Sequence, residues 1–192
     1  MAPILGIYAS QISGHLSTNN FSSIATVTVG SGGSSSVTFS SIPSTYTHLQ
    51  VRFITRSSRA STFDSIDASF NSDSSNANYT QHQITGNGST AAAYGYPTGT
   101  SGILGVPAIY TSAASQSSGI FGAGVLDILD YANTNKYKTT RALSGIDANG
   151  SGNATLYSGL WLNTSTITSI TLSSETSSSF SQYSSFALYG IR

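Results

Sequence analysis

Three histidines, seven acidic residues and a large excess of serine are the side chains in this sequence that could do chemistry. Serine nucleophilic catalysis needs a base beside the hydroxyl and a group that orients the base. His15, His48 and His82 are scattered, and none lies in a Gly-x-Ser-x-Gly elbow or a His-Glu-x-x-His helix. They read as surface or strand-end histidines making ordinary hydrogen bonds. Asp127 and Asp130 stand three apart, as do Asp64 and Asp67. On a regular strand each pair faces opposite sides, so neither converges on one substrate without a bulge. Pairing with Arg52, Arg56 or Arg141 across neighbouring strands is the expected use. No catalytic residue is assigned, and the chain is expected not to be an enzyme.

Binding motifs are treated in the same way. The segment from Asp147 to Asn153 opens like a calcium loop, with oxygen side chains at alternate positions and a glycine turn, but it lacks the closing bidentate Glu. Its Asn149-Gly150 pair between two strand-like runs is also a hairpin signal, and the turn is the preferred reading. Asn71 to Asn76 reads as an Asx-type turn rather than a ligand set. The glycines at 119, 122 and 124 lead into a strand, so they aim no helix N-terminus at a phosphate. Six Asn-x-Ser/Thr triplets are explained by composition, and no glycosylation is read from them. Tyr94, Tyr96, Tyr110, Tyr157 and Trp161 offer stacking faces to a glycan, with core or subunit interface as the preferred reading. No cofactor and no metal are expected.

Composition sets the boundaries around these motifs. Only 7% of residues are charged, against roughly a quarter in an ordinary soluble domain. Ser and Thr fill 62 of 192 positions. With a formal net charge of zero and only Lys136 and Lys138 as lysines, the chain lacks the cationic footprint that phosphate binding needs, and nucleic acid is not an expected partner. A hydrophobic share of 38%, including 11 Tyr, 8 Phe and one Trp, argues for a folded core. The absence of cysteine removes disulfides and thiolate metal sites. No apolar run reaches the roughly 18 residues of a membrane span, and residues 1–16 make a poor secretory signal.

The elements that must position these residues are strands. Glu, Lys, Gln and Met are scarce, while β-branched and aromatic residues sit in short runs between Gly, Ser, Asn and Pro. Strands are expected at 24–29, 36–40, 48–56, 65–70, 79–84, 103–110, 119–131, 137–146, 154–162, 166–172 and 184–191. The glycines at 30, 32 and 33 suit a tight hairpin joining the first two. Leu49, Val51 and Phe53 alternate with Gln50 and Arg52, which describes one buried face. Leu156, Leu160 and Leu162 oppose Tyr157 and Trp161, so both faces there are expected to be at least partly covered. Residues 85–101 read as a long small-residue loop. The expected fold is all-β, an antiparallel two-sheet sandwich of about ten strands and of jelly-roll type. It would comprise an N-terminal arm at 1–23 and a sandwich domain at 24–192.

Four stretches carry a resemblance. They are Ile4 to Gly14, Ser40 to Arg52, Ile128 to Lys138, and the closing Tyr183-Ser184-Ser185-Phe186-Ala187-Leu188-Tyr189-Gly190-Ile191-Arg192. Together they resemble small accessory virion proteins of tailed bacteriophages, across nearly the whole chain. The resemblance implies a non-enzymatic particle protein at the capsid surface, a capsid decoration (cement) protein that binds and stabilises the head shell. The alternatives are a tail or fibre component, or a receptor- or glycan-binding module. The expected partners are self, as a homotrimer, and the major capsid protein or another virion protein, with no membrane. Ile4, Leu5, Ile7, Tyr8, Ile12 and Leu16 form an apolar leader expected to anchor the chain to a neighbour, since leaving each side chain exposed forgoes roughly 1.5–3 kcal/mol.

Overall fold

The computed structural model describes residues 20–192. The leader residues Ile4, Leu5, Ile7, Tyr8, Ile12 and Leu16, and His15, lie outside the described residues. The described chain forms twelve strands: β1 Phe21–Thr28, β2 Ser36–Phe39, β3 His48–Thr55, β4 Phe63–Phe70, β5 Tyr79–Gly86, β6 Ala91–Tyr96, β7 Val106–Ser112, β8 Gly122–Ile128, β9 Lys138–Asp147, β10 Gly152–Trp161, β11 Ile170–Ser174 and β12 Ser185–Ile191. One short 3₁₀ turn, Asn76–Asn78, interrupts them. No helix among the described residues is long and apolar enough to cross a membrane.

The strands build two antiparallel sheets, in the orders β1-β12-β3-β8-β9-β10-β5-β6 and β2-β11-β4-β7. The all-β sandwich follows from the alternation in the sequence; a jelly-roll subtype is not established by these strand orders. Leu49, Val51 and Phe53 of β3 are buried, as their alternation predicts. With Leu126, Phe186 and Leu188 of the same sheet they meet Ile66, Phe70, Ile170 and Leu172 of the smaller one. Aromatic rings lock the layers, with Phe180 and Phe186 centroids 4.8 Å apart and Phe70 and Trp161 5.5 Å apart.

Strand β7 lies at the edge of the small sheet, which is where Pro107 is tolerated because an edge strand has N–H groups to spare. It packs tightly against β8, β9 and β10, and glycines make the room. A Cβ on Gly159 would sit 2.6 Å from Thr140 Oγ1 and 2.8 Å from Val106 Cβ. One on Gly122 would sit 2.9 Å from Thr111 Oγ1. Of the glycines that lead into β8, Gly122 and Gly124 therefore serve close packing, and Gly119 stands in open space.

Two expectations need correction. The glycine-rich segment after β1 does not close a hairpin: β1 pairs with β12 and β2 with β11, so it carries the chain from one sheet to the other. Residues 85–101 are not a continuous loop. They contain the end of β5, a turn in which Asn87 Oδ1 accepts the Ser89 and Thr90 amides at 3.0 and 2.8 Å, and β6. On β10 the partial cover expected of both faces is present: Tyr157 and Trp161 are buried, and on the opposite face Leu160 and Leu162 are half-buried while Leu156 is exposed. In addition, β1 begins at Phe21, so the strand includes residues 21–23, which the sequence assigns to the arm.

Candidate functional site

The β5–β6 hairpin forms the edge of the large sheet furthest from β1, and its inward side chains line open space beside the small sheet. Register fixes which side chains these are. Tyr94 lies opposite Gln83, which lies opposite Tyr157; Tyr96 lies opposite Gln81, which lies opposite Gly159. A cleft of about 470 Å³ results, with Tyr94, Tyr96, Tyr110 and Tyr157 on its walls and Arg59, Asn87 and Asn153 also lining it. Thr85 and Thr155 close one end, their hydroxyls 2.8 Å apart, and Thr85 donates to Asn153 Oδ1 at 2.9 Å. Burial pushes the Tyr157 and Tyr110 phenols up, so both stay neutral donors. Amides, hydroxyls and aromatic faces without a dominant charge suit a neutral hydroxylated guest.

A second cavity of about 290 Å³ shares Ser65, Gln83, Tyr96 and Tyr157 with the first and contains the acidic end of the site. Asp67 lies at a register shift between β4 and β7 and is only 4% exposed. Neither of its carboxylate oxygens has a hydrogen-bond partner, nor does Oε1 of Gln81, which is 6% exposed. Glu175 lines the same cavity from the turn after β11, within hydrogen-bonding reach of Asp67. Burial, and then the Glu175 charge, push Asp67 well above the ordinary carboxylate range. Glu175 is itself raised, by burial first and then by Asp64. Two such carboxylates cannot both ionise without a positive partner.

The charges expected to pair do so in part. Asp127 accepts from Arg141 Nε at 2.9 Å and from Gln50 Nε2 at 2.7 Å. Asp130, at φ 47° just past β8, binds Lys136. His48 Nδ1 accepts the Asp130 amide at 2.9 Å, so the histidine makes an ordinary strand-end contact. Asp64 takes Arg59 at 3.5 Å and the Ser174 hydroxyl at 2.8 Å. Arg52 and Arg56 do not pair with carboxylates. Arg52 lies over the rings of Tyr189 and Phe21, at 4.9 and 5.5 Å. Arg56 is buried and donates to four carbonyls, those of Ala114, Gln116, Ser117 and Ile120, organising the loop before β8. Lys138 is buried and donates to the carbonyls of Asn133, Lys136 and Thr164, and burial lowers its pKa. These two cations replace missing backbone donors rather than balancing acids.

The turn readings hold. Asn149 and Gly150 both have positive φ, 55° and 100°, which is the geometry of a two-residue hairpin between β9 and β10. Asp73 Oδ1 accepts the Ser75 amide at 3.0 Å, an Asx turn. Trp161 is not available for stacking on a guest, since it is buried and its indole N–H donates to Asp73 at 2.8 Å. The sequence reading missed the roles of Gln81 and Glu175; the only linear signal was that Glu175 is the single glutamate in the chain.

The outer face of the large sheet is the other feature that could make contacts. One cross-strand row reads Ala93, Ile84, Leu156, Leu143, Val125 across β6, β5, β10, β9 and β8. Ile84, Leu143 and Leu156 are 62%, 55% and 53% exposed. The next row is Ala91, Gly86, Ala154, Gly145, Ala123, ending at the exposed Ile54 of β3. Large aliphatic side chains therefore stand between a strip of small residues and a polar row in which Arg141 and Asp127 pair across β9 and β8, and their own row runs on from Val125 to Arg52 of β3. No family model, curated protein or solved structure gives a significant match to this chain.

Proposed function

We propose that the protein is a non-enzymatic structural component of a tailed-bacteriophage particle, acting as a capsid decoration protein that binds and stabilises the head shell. The observation that carries this reading is the exposed apolar row Ile84, Leu156, Leu143 on the outer face of the large sheet. Contiguous exposed aliphatic side chains on a sheet mark a surface that is covered by a partner. Low charge on the chain leaves little repulsion to keep copies apart. The resemblance of the opening, middle and closing segments to accessory virion proteins supplies the biological setting. The homotrimer, the contact with the major capsid protein and the anchoring role of the leader belong to the same proposal.

Mass spectrometry of separated heads and tails tests it. The chain should be found with the heads, in a copy number tied to that of the shell protein. Recovery with tails alone would replace decoration with the tail or fibre reading. Recovery with neither would end the proposal.

A further inference from the structure

The acidic cavity is not explained by the particle role, and its orphaned oxygens point to a ligand of their own. Asp67 Oδ1 and Oδ2, from the small sheet, and Gln81 Oε1, from the large one, are buried acceptors in the lining of this cavity that meet no donor in hydrogen-bond geometry, although the Leu104 amide and the Glu175 carboxyl come within reach of Asp67. An unpartnered buried acceptor is destabilising, more so when it carries charge. Asp64, three residues away and also buried, shows what a satisfied carboxylate looks like here: it accepts from the Ser65 amide, Ser174, Thr176 and Arg59. No protein cation serves Asp67. Arg59, which lines the adjoining cleft, is taken by Asp64 and the Phe63 carbonyl, at 3.5 and 3.3 Å. His82 lies on the outer face of the sheet, against Gly95, and Lys138 is held by three carbonyls.

We propose that this cavity binds a hard divalent cation, calcium by its chemistry, between the Asp67 and Glu175 carboxylates with Gln81 Oε1 as a third ligand. Calcium takes six to eight oxygens in flexible geometry, and carboxylate, amide carbonyl, hydroxyl and water oxygens all serve. Ser65, Thr100 and Thr176 line the same cavity and carry further oxygens. A volume of about 290 Å³ holds the ion with several waters. Neither histidine nor cysteine lines it, so its donors are all oxygens; among the described residues no three His, Cys, Asp or Glu gather to hold a metal, and the ligands beyond the two carboxylates would be amide, hydroxyl and water oxygens. The ligands come from β4, β5 and the turn after β11, so the ion ties the large sheet to the small one at the open end of the sandwich. The inference stands apart from the particle reading, since it concerns how this chain is braced.

Thermal unfolding of the full chain at pH 7.5, in calcium chloride and in EGTA, tests it alongside calorimetric titration with calcium alone. Calcium at about a hundred times its dissociation constant should raise the midpoint by roughly 5–10 °C. The rise should vanish in Glu175→Gln and in Asp67→Asn, each of which removes a charge without changing shape. It should persist in Asp147→Asn, which alters the β9–β10 hairpin turn. Absence of both a midpoint shift and a heat of binding in the unaltered chain would overturn the proposal. So would a shift that survives in both cavity variants.

Discussion

Asp64 and Asp67 stand three residues apart on β4, both buried, and only Asp64 finds donors. Spacing in the sequence showed that the two would not act together, but whether a buried carboxylate meets a donor depends on residues more than a hundred positions away, such as Ser174 and Glu175. Local turn chemistry is a different matter, since an Asx turn closes on its own amides two residues on. Asp73 is a case where that local signal was legible and its distant consequence was not. Burial opposes its charge, and the hydrogen bonds from Trp161, Ser75 and Asn78 outweigh that, so its pKa is lowered from 3.8. A lowered carboxylate stabilises the fold at pH values above the ordinary aspartate value, and that contribution is lost as pH falls through the folded-state value. Asp73→Asn should therefore cost about 1–2 kcal/mol at pH 7. Urea denaturation as a function of pH should show the gap to the unaltered chain closing below pH 4. A gap that stays constant down to pH 2 would contradict this assignment.

At the scale of elements, β-branched alternation located most strands, and the failures have physical causes. β6 was read as loop because Ala91, Ala92, Ala93 and Gly95 carry almost no β preference; pairing with β5 makes it a strand. The glycines after β1 advertise a turn, but turn chemistry does not say which strand the chain pairs with next. The glycines of β8 and β10 were legible as strand residues, while their purpose, the tight packing of β7, is tertiary. Gly159→Ala should drive a methyl group into Thr140 and Val106 and cost about 1–3 kcal/mol. Gly119→Ala meets nothing within 4 Å and should be close to neutral. Chemical denaturation of the two variants side by side checks this, and equal stabilities would show that β7 yields without strain.

For the whole molecule, a chain with so few charges keeps them for defined tasks: Arg56 and Lys138 tie down loops, and Arg141 and Asp127 pair with each other on the outer face. Beside that pair stands the aliphatic row Ile84, Leu156 and Leu143. The β10 pattern points to at least partial cover on both faces; in the single chain Leu160 and Leu162 are half-buried and Leu156 stands open, the expected appearance of an interface seen without its partner. Light scattering of the purified chain beside the double variant Leu143→Asp/Leu156→Asp tests this most directly. The unaltered chain should scatter as a trimer, three times its 19.8 kDa mass, and the variant as a monomer with the same unfolding midpoint. A monomeric unaltered chain at high concentration, both alone and with the shell protein present, would contradict the account.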